Sequence, residues 1–202
     1  MPASASSSRP RSRQSGARVV IPAEAGIQCQ ARRPPRIPYC GAVPRLFVAV
    51  WPSSEASEVL AGLPRPDLPG VRWTAPERLH VTMRFLGDCD EGEAAAALSG
   101  LRLSRTEVVL GPAVERLGRA VLVVPARGLD ELAAEIISAT RHIGQAPPDR
   151  PFTGHLTVAR YGGRPPDGYA PPVHAAFTAT EVALVRSDPP GTYRNVATFA
   201  LH

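Results

Sequence analysis

His80-Val81-Thr82-Met83-Arg84-Phe85-Leu86-Gly87 and its echo, His155-Leu156-Thr157-Val158-Ala159-Arg160-Tyr161, decide how the rest of the chain is read. Both runs alternate polar with apolar side chains, the period of a half-buried strand. The alternation predicts His80, Thr82 and Arg84 on one face and Val81, Met83 and Phe85 against a core. His155 and Thr157 sit side by side in the same way. One His-x-Thr would mean nothing, since two surface side chains on an ordinary strand satisfy it. Two copies, both in strand-like runs, point to a cleft where two imidazoles and two hydroxyls converge.

Working outward, each copy closes a similar unit. Leu46 to Trp51 reads as a strand and Ser53 to Leu63 as a helix opened by an N-cap, after which His80 follows. Arg119 to Val124 reads as a strand and Leu129 to Ile143 as an amphipathic helix, after which His155 follows. Strand, helix and His-x-Thr strand thus occur twice in the same order, predicting two lobes with the site on a pseudo-twofold axis between them. Of the remainder, Arg72 to Thr74 reads as a short strand and Asp88 to Leu101 as a helix. Glu107 to Leu117 reads as one strand turning at Gly118, and Gly162 to Pro172 as a loop. Ala179 to Ser187 and Tyr193 to Leu201 read as strands around the turn Asp188-Pro189-Pro190-Gly191.

The net charge of +5 is unevenly distributed. Residues 1–44 hold seven Arg against Glu24 alone, whereas the remainder holds sixteen Arg against seventeen acids. The folded part therefore carries no diffuse basic field, which disfavours a long duplex as partner but leaves room for a small site with a few convergent Arg. Residues 1–44 are rich in Ser, Arg, Pro and Gly without periodicity and predict a disordered leader. Within it, Val20 to Gln28 is similar to the translated product of a bacterial intergenic repeat, so the working protein is expected to begin near Arg45 and to span 45–202. An Arg-rich arm gripping RNA is the rival reading of the leader.

Cys29, Cys40 and Cys89 form no Cys-x-x-Cys and have no His at metal-ligand spacing, so free thiols in a reducing compartment are expected. No run approaches the roughly 18 apolar residues of a membrane span, and the leader lacks the apolar centre of a secretory signal. A cytoplasmic protein is the expectation, with no metal at its site.

From Arg45 onward the chain resembles the 2H phosphoesterases, and within them the RNA 2′,3′-cyclic phosphodiesterases once named 2′-5′ RNA ligases. The resemblance rests on Arg-Leu-Phe-Val-Ala-Val at 45–50, on Trp73 to Gly87, on Arg150-Pro-Phe-Thr-Gly-His-Leu-Thr-Val-Ala-Arg160, and on Leu184 to Ser187 with Tyr193 and Phe199. Gly154 departs from it, since many relatives carry Pro before the second His. The resemblance implies an α+β fold of two lobes, with two antiparallel sheets flanking a central cleft. It implies no cofactor and hydrolysis of a 2′,3′-cyclic phosphate to a 2′-phosphate, with His80 as proton donor and His155 as proton acceptor. Substrates would be RNA ends or nucleoside cyclic phosphates, and the protein a monomer without an obligate partner.

The residue types suit that chemistry independently. Opening a cyclic phosphodiester needs a base at water and an acid at the departing oxygen, and imidazole serves both near neutral pH. Thr82 and Thr157 would donate to the non-bridging oxygens. Arg84, by parity, and Arg160, by resemblance, are candidate substrate contacts; strict alternation would put Arg160 on the core side unless its strand ends or bulges. Trp51, Trp73, Tyr161 and Tyr193 are candidates for stacking on a base, though packing is the simpler role for each. His142, His174 and His202 receive no role. Two other functions fit the same motifs, RNA end-joining by the reverse reaction and a non-catalytic RNA-end binder; retention of both His and both Thr speaks against the latter.

Overall fold

Alternation along Arg45–Val50 (β1) explains why this strand lies at the heart of one lobe. Leu46, Val48 and Val50 point into the main core, while Phe47 and Ala49 point the other way, into a small second cluster with Ala183 and Val185. Both faces are covered, so the strand reads as a continuous apolar run. The computed structural model describes residues 45–162, 168–188 and 191–202. The leader 1–44, with Cys29 and Cys40, and parts of the Gly162–Pro172 loop and of the Asp188–Gly191 turn lie outside the described residues.

Three α-helices among the described residues pack on the sheet. Ser54–Ala61 (α1) starts where the Ser53 side chain accepts from the Ala56 N–H at 3.3 Å, and it buries Ala56 and Leu60. Glu91–Ser99 (α2) is capped by Asp90, which accepts from the Glu93 N–H at 2.9 Å. Asp130–Ala139 (α3) carries two acids in its first turn, favourable to the helix dipole, and buries Leu132, Ala133 and Ile136. No helix among the described residues is long and apolar enough to cross a membrane.

The strands are Val71–Trp73 (β2), Val81–Asp88 (β3), Thr106–Leu110 (β4), Glu115–Leu117 (β5), Val121–Arg127 (β6), His155–Tyr161 (β7), Ala175–Ala179 (β8), Glu181–Asp188 (β9) and Thr192–Ala200 (β10). Their order is β10-β9-β1-β3-β7-β6-β4-β8, with every named pairing antiparallel, β2 against β7 and β5 against β6. The duplicated unit is present as β1-α1-β3 and β6-α3-β7, and the two copies meet at the centre. The two sheets are not separate: Val81 of β3 pairs with Leu156 of β7 and joins them edge to edge.

Two sequence expectations need correction. The run Glu107 to Leu117 is two strands, because the chain breaks at Gly111-Pro112 and Pro has no N–H for the ladder. Strand β8 was not expected; three of its five residues are alanine, and it owes its place to pairing with β4.

Candidate active site

His80 immediately precedes β3 and His155 opens β7, one on each strand beside the Val81–Leu156 pair. Extending that antiparallel register by one residue in each direction sets His80 opposite Thr157 and Thr82 opposite His155. All four line one cleft of about 380 Å³. The convergence expected from the two His-x-Thr copies is what the fold produces.

The two rings are held alike. His80 Nδ1 lies 2.8 Å from the Arg78 carbonyl oxygen, and His155 Nδ1 lies 2.7 Å from that of Thr153. A carbonyl only accepts, so Nδ1 carries the proton in both and Nε2 is the nitrogen left for chemistry. The surroundings differ. His80 stacks on Phe47 with centroids 4.9 Å apart, meets Tyr193 edge-on at 5.3 Å and lies 5.2 Å from Trp51. Burial there pushes its pKa below the usual imidazole range; the charges of Arg78 and His155 act in the same direction, against the hydrogen bond to the Arg78 carbonyl.

Arg84 is not where parity put it. Val48 pairs with Arg84 and Ala49 with Thr82, leaving Met83 as an extra residue. This bulge reverses the alternation. Arg84 is 4% exposed and donates to the Phe85 carbonyl at 2.6 Å and to the Gln145 carbonyl, whereas Phe85 is 45% exposed and lines the cleft. Arg84 therefore clamps the segment before the second motif, and Phe85, expected in the core, takes its place at the site. Strand β7 has the matching irregularity, with Val158 unpaired between Leu122–Ala159 and Val123–Thr157. That bulge brings Arg160 to the cleft, against strict alternation.

Of the aromatic candidates, Tyr161 is buried in the core, while Trp73 and Tyr193 line the cleft and Trp51 backs the His80 ring. The cleft also takes in Arg45, Arg72, Arg78 and Ser187, which the sequence reading did not single out. Arg78 lies over the Tyr193 ring at 4.5 Å from its centroid. Its position two residues before the first His, mirrored by Thr153 before the second, was the available signal. The half-buried Cys89 is a free thiol whose pKa is raised by burial and by Glu93, Asp90 and Asp88. Among the described residues no group of three His, Cys, Asp or Glu is placed to hold a metal ion.

Residues 50–110 match the family model described as LigT like Phosphoesterase. A relative from Geobacillus stearothermophilus named RNA 2′,3′-cyclic phosphodiesterase is 29% identical over 177 residues, covering 77% of this chain and 56% of the relative. The match thus spans little more than half of that protein's length. Among solved structures, E. coli LigT complexed with 3′-AMP superposes with a TM-score of 0.66 at 26% identity over 78% of this chain and 98% of that one. A second solved structure, of a Thermus thermophilus protein, gives 0.66 at 25% identity over 78% and 97%. With the duplicated strands and their paired histidines in place, these likenesses agree: the chain is similar to the LigT-like phosphoesterases in sequence over residues 50–110 and in fold over most of its length.

Proposed function

We propose that the protein hydrolyses the 2′,3′-cyclic phosphate of RNA ends to a 2′-phosphate by metal-free acid/base catalysis. The observation that carries this reading is the matched anchoring of His80 and His155, each with Nδ1 tied to a carbonyl two residues upstream and Nε2 left for the shared cleft. Water attacks phosphorus and gives its proton to His155 Nε2. The bond from phosphorus to O3′ breaks, and His80 Nε2–H protonates the departing oxygen, leaving a 2′-phosphomonoester. Proton exchange with solvent then resets the pair. Thr82 and Thr157 donate to the two non-bridging oxygens as charge shifts onto them.

The buried His80 favours its neutral form at rest, yet this role needs it protonated. A bound phosphodiester supplies a negative charge beside it, which favours the imidazolium. The substrate thereby arms its own acid. Incubation with a nucleoside 2′,3′-cyclic phosphate in excess chelator should give the 2′-phosphate. A 3′-phosphate product, or turnover that requires an added divalent ion, would overturn the reading.

A further inference from the structure

Strands β1, β9 and β10 carry Arg45, Ser187 and Tyr193 on one rung, since Arg45 pairs with Ser187 and Ser187 with Tyr193. Antiparallel partners project from the same face, and all three line the cleft. Next to this rung the same face is apolar: Phe47 and Ala49 of β1 pack with Val185 and Ala183 of β9. Phe47 in turn stacks on the His80 ring. The floor beside His80 therefore runs apolar from Ala49 through Phe47 and ends at a polar rung. The Arg45 side chain is 72% exposed, and its carboxylate partner Asp88 lies 3.9 Å away, beyond hydrogen-bond distance. Arg186, by contrast, is held by Glu91 and Asp188 at 2.8 and 2.6 Å.

The rung stands apart from the reacting phosphate. Thr82 is level with Ala49, and both register shifts between β1 and β3 place their extra residue, Met83 or Leu86, on β3, so β1 itself runs regularly from Ala49 to Arg45. Four residues are roughly 13 Å of strand. In the proposed reaction His80 protonates the departing O3′, so the ribose lies on the His80 side of phosphorus and its base extends along this floor. A nucleobase has apolar faces for such a floor and a polar edge for the rung that closes it.

We infer that Arg45 and Ser187 read the base of the terminal nucleotide and make the protein selective for RNA ends that close in guanosine or cytidine 2′,3′-cyclic phosphate. This rests on the cyclic phosphodiesterase reading and extends it. A guanidinium only donates, through N–H groups set side by side. Guanine, at O6 and N7, and cytosine, at O2 and N3, each offer it two neighbouring acceptors; adenine and uracil offer no such pair. The Ser187 hydroxyl donates or accepts, so it suits the group beside that pair.

The four nucleoside 2′,3′-cyclic phosphates are the probes. The expected result is a kcat/KM about tenfold higher for guanosine, cytidine or both than for adenosine and uridine, carried mainly by KM. A gain for guanosine alone assigns the O6/N7 edge, and a gain for cytidine alone the O2/N3 edge. Arg45→Met should remove the preference, lowering kcat/KM on the favoured base about tenfold more than on adenosine. Arg45→Lys keeps the charge without the paired donors and should lose the preference as well. Ser187→Ala should narrow it. Equal rates on all four substrates, a preference for adenosine or uridine, or a preference that survives Arg45→Lys would overturn the inference alone. So would a loss in Arg45→Met of the same size for every base, which is what a phosphate contact gives. No turnover on any of the four would overturn the hydrolase reading and this inference with it.

Discussion

Val81 and Leu156 are the single residue pair that joins β3 to β7 among the described residues. Each is the central residue of a His-x-Thr motif, so the seam between the halves runs through the middle of the site. The separation of the two histidines is set by one rung of antiparallel sheet. On the proposed mechanism, stiffness is thus provided where two proton transfers act on one phosphorus.

If each imidazole moves a proton in the same displacement, His80→Ala and His155→Ala should each slow turnover by about 10²–10⁴. The double variant should lose far less than the product of the two, because the pair acts as a unit. A substrate with a much better leaving group should rescue His80→Ala and not His155→Ala. Rescue of His155→Ala in its place would exchange the two roles, and single variants near the parental rate would remove catalysis from both.

The aromatic surroundings of His80 make stability depend on pH. Its folded pKa lies below the ordinary value, so near that value the unfolded chain binds more protons and acid favours unfolding. The contribution is complete above about pH 6.5 and fades as pH falls below it. Urea unfolding at pH 7.5 and 5.5 should show a smaller loss for His80→Gln than for the parent. Equal losses would mean that the ring is not desolvated.

Gly154 sits against the Ala126 carbonyl, to whose residue it is also tied by a 2.9 Å bond from the Ala126 N–H to its own carbonyl. A Cβ there would overlap the Ala126 oxygen, so this position accepts only glycine without a backbone shift. Gly154→Ala should cost about 1–3 kcal/mol and should also slow turnover, since His155 is the next residue. Gly162→Ala meets open space and should be nearly silent in the same unfolding assay.

Arg84 offers the converse test. Its buried guanidinium serves the Phe85 and Gln145 carbonyls, so Arg84→Met should lower stability by about 1–3 kcal/mol per orphaned group while KM stays close to the parental value. A raised KM with unchanged stability would return Arg84 to the site.

The paired motifs were legible because polar and apolar residues alternate through His80–Thr82 and His155–Thr157, and the duplication because each motif follows a strand and a helix. What failed was parity beyond the bulges. Met83 and Val158 are apolar and buried, as alternation requires, so nothing in the sequence signals that each is an extra residue. Phe85 and Arg160 consequently changed sides together, each five residues past its histidine. Arg72 was missed for another reason, since its place in the cleft follows from the pairing of β2 with β7 and no local pattern carries that.

The strand order also bears on how the protein is made. Strands β9 and β10 come after every other element, yet β9 covers the free edge of β1, and Tyr193 on β10 supplies one wall around His80. Of the described elements β1 emerges first during vectorial synthesis, and it waits for its neighbour β9 through most of the others. Meanwhile its outer edge is open, and Phe47 and Ala49 lack the Ala183 and Val185 that bury them. An unpaired, apolar edge of that kind is a template for association. The nascent chain is therefore most exposed to chaperones, or to aggregation, until its last hairpin docks.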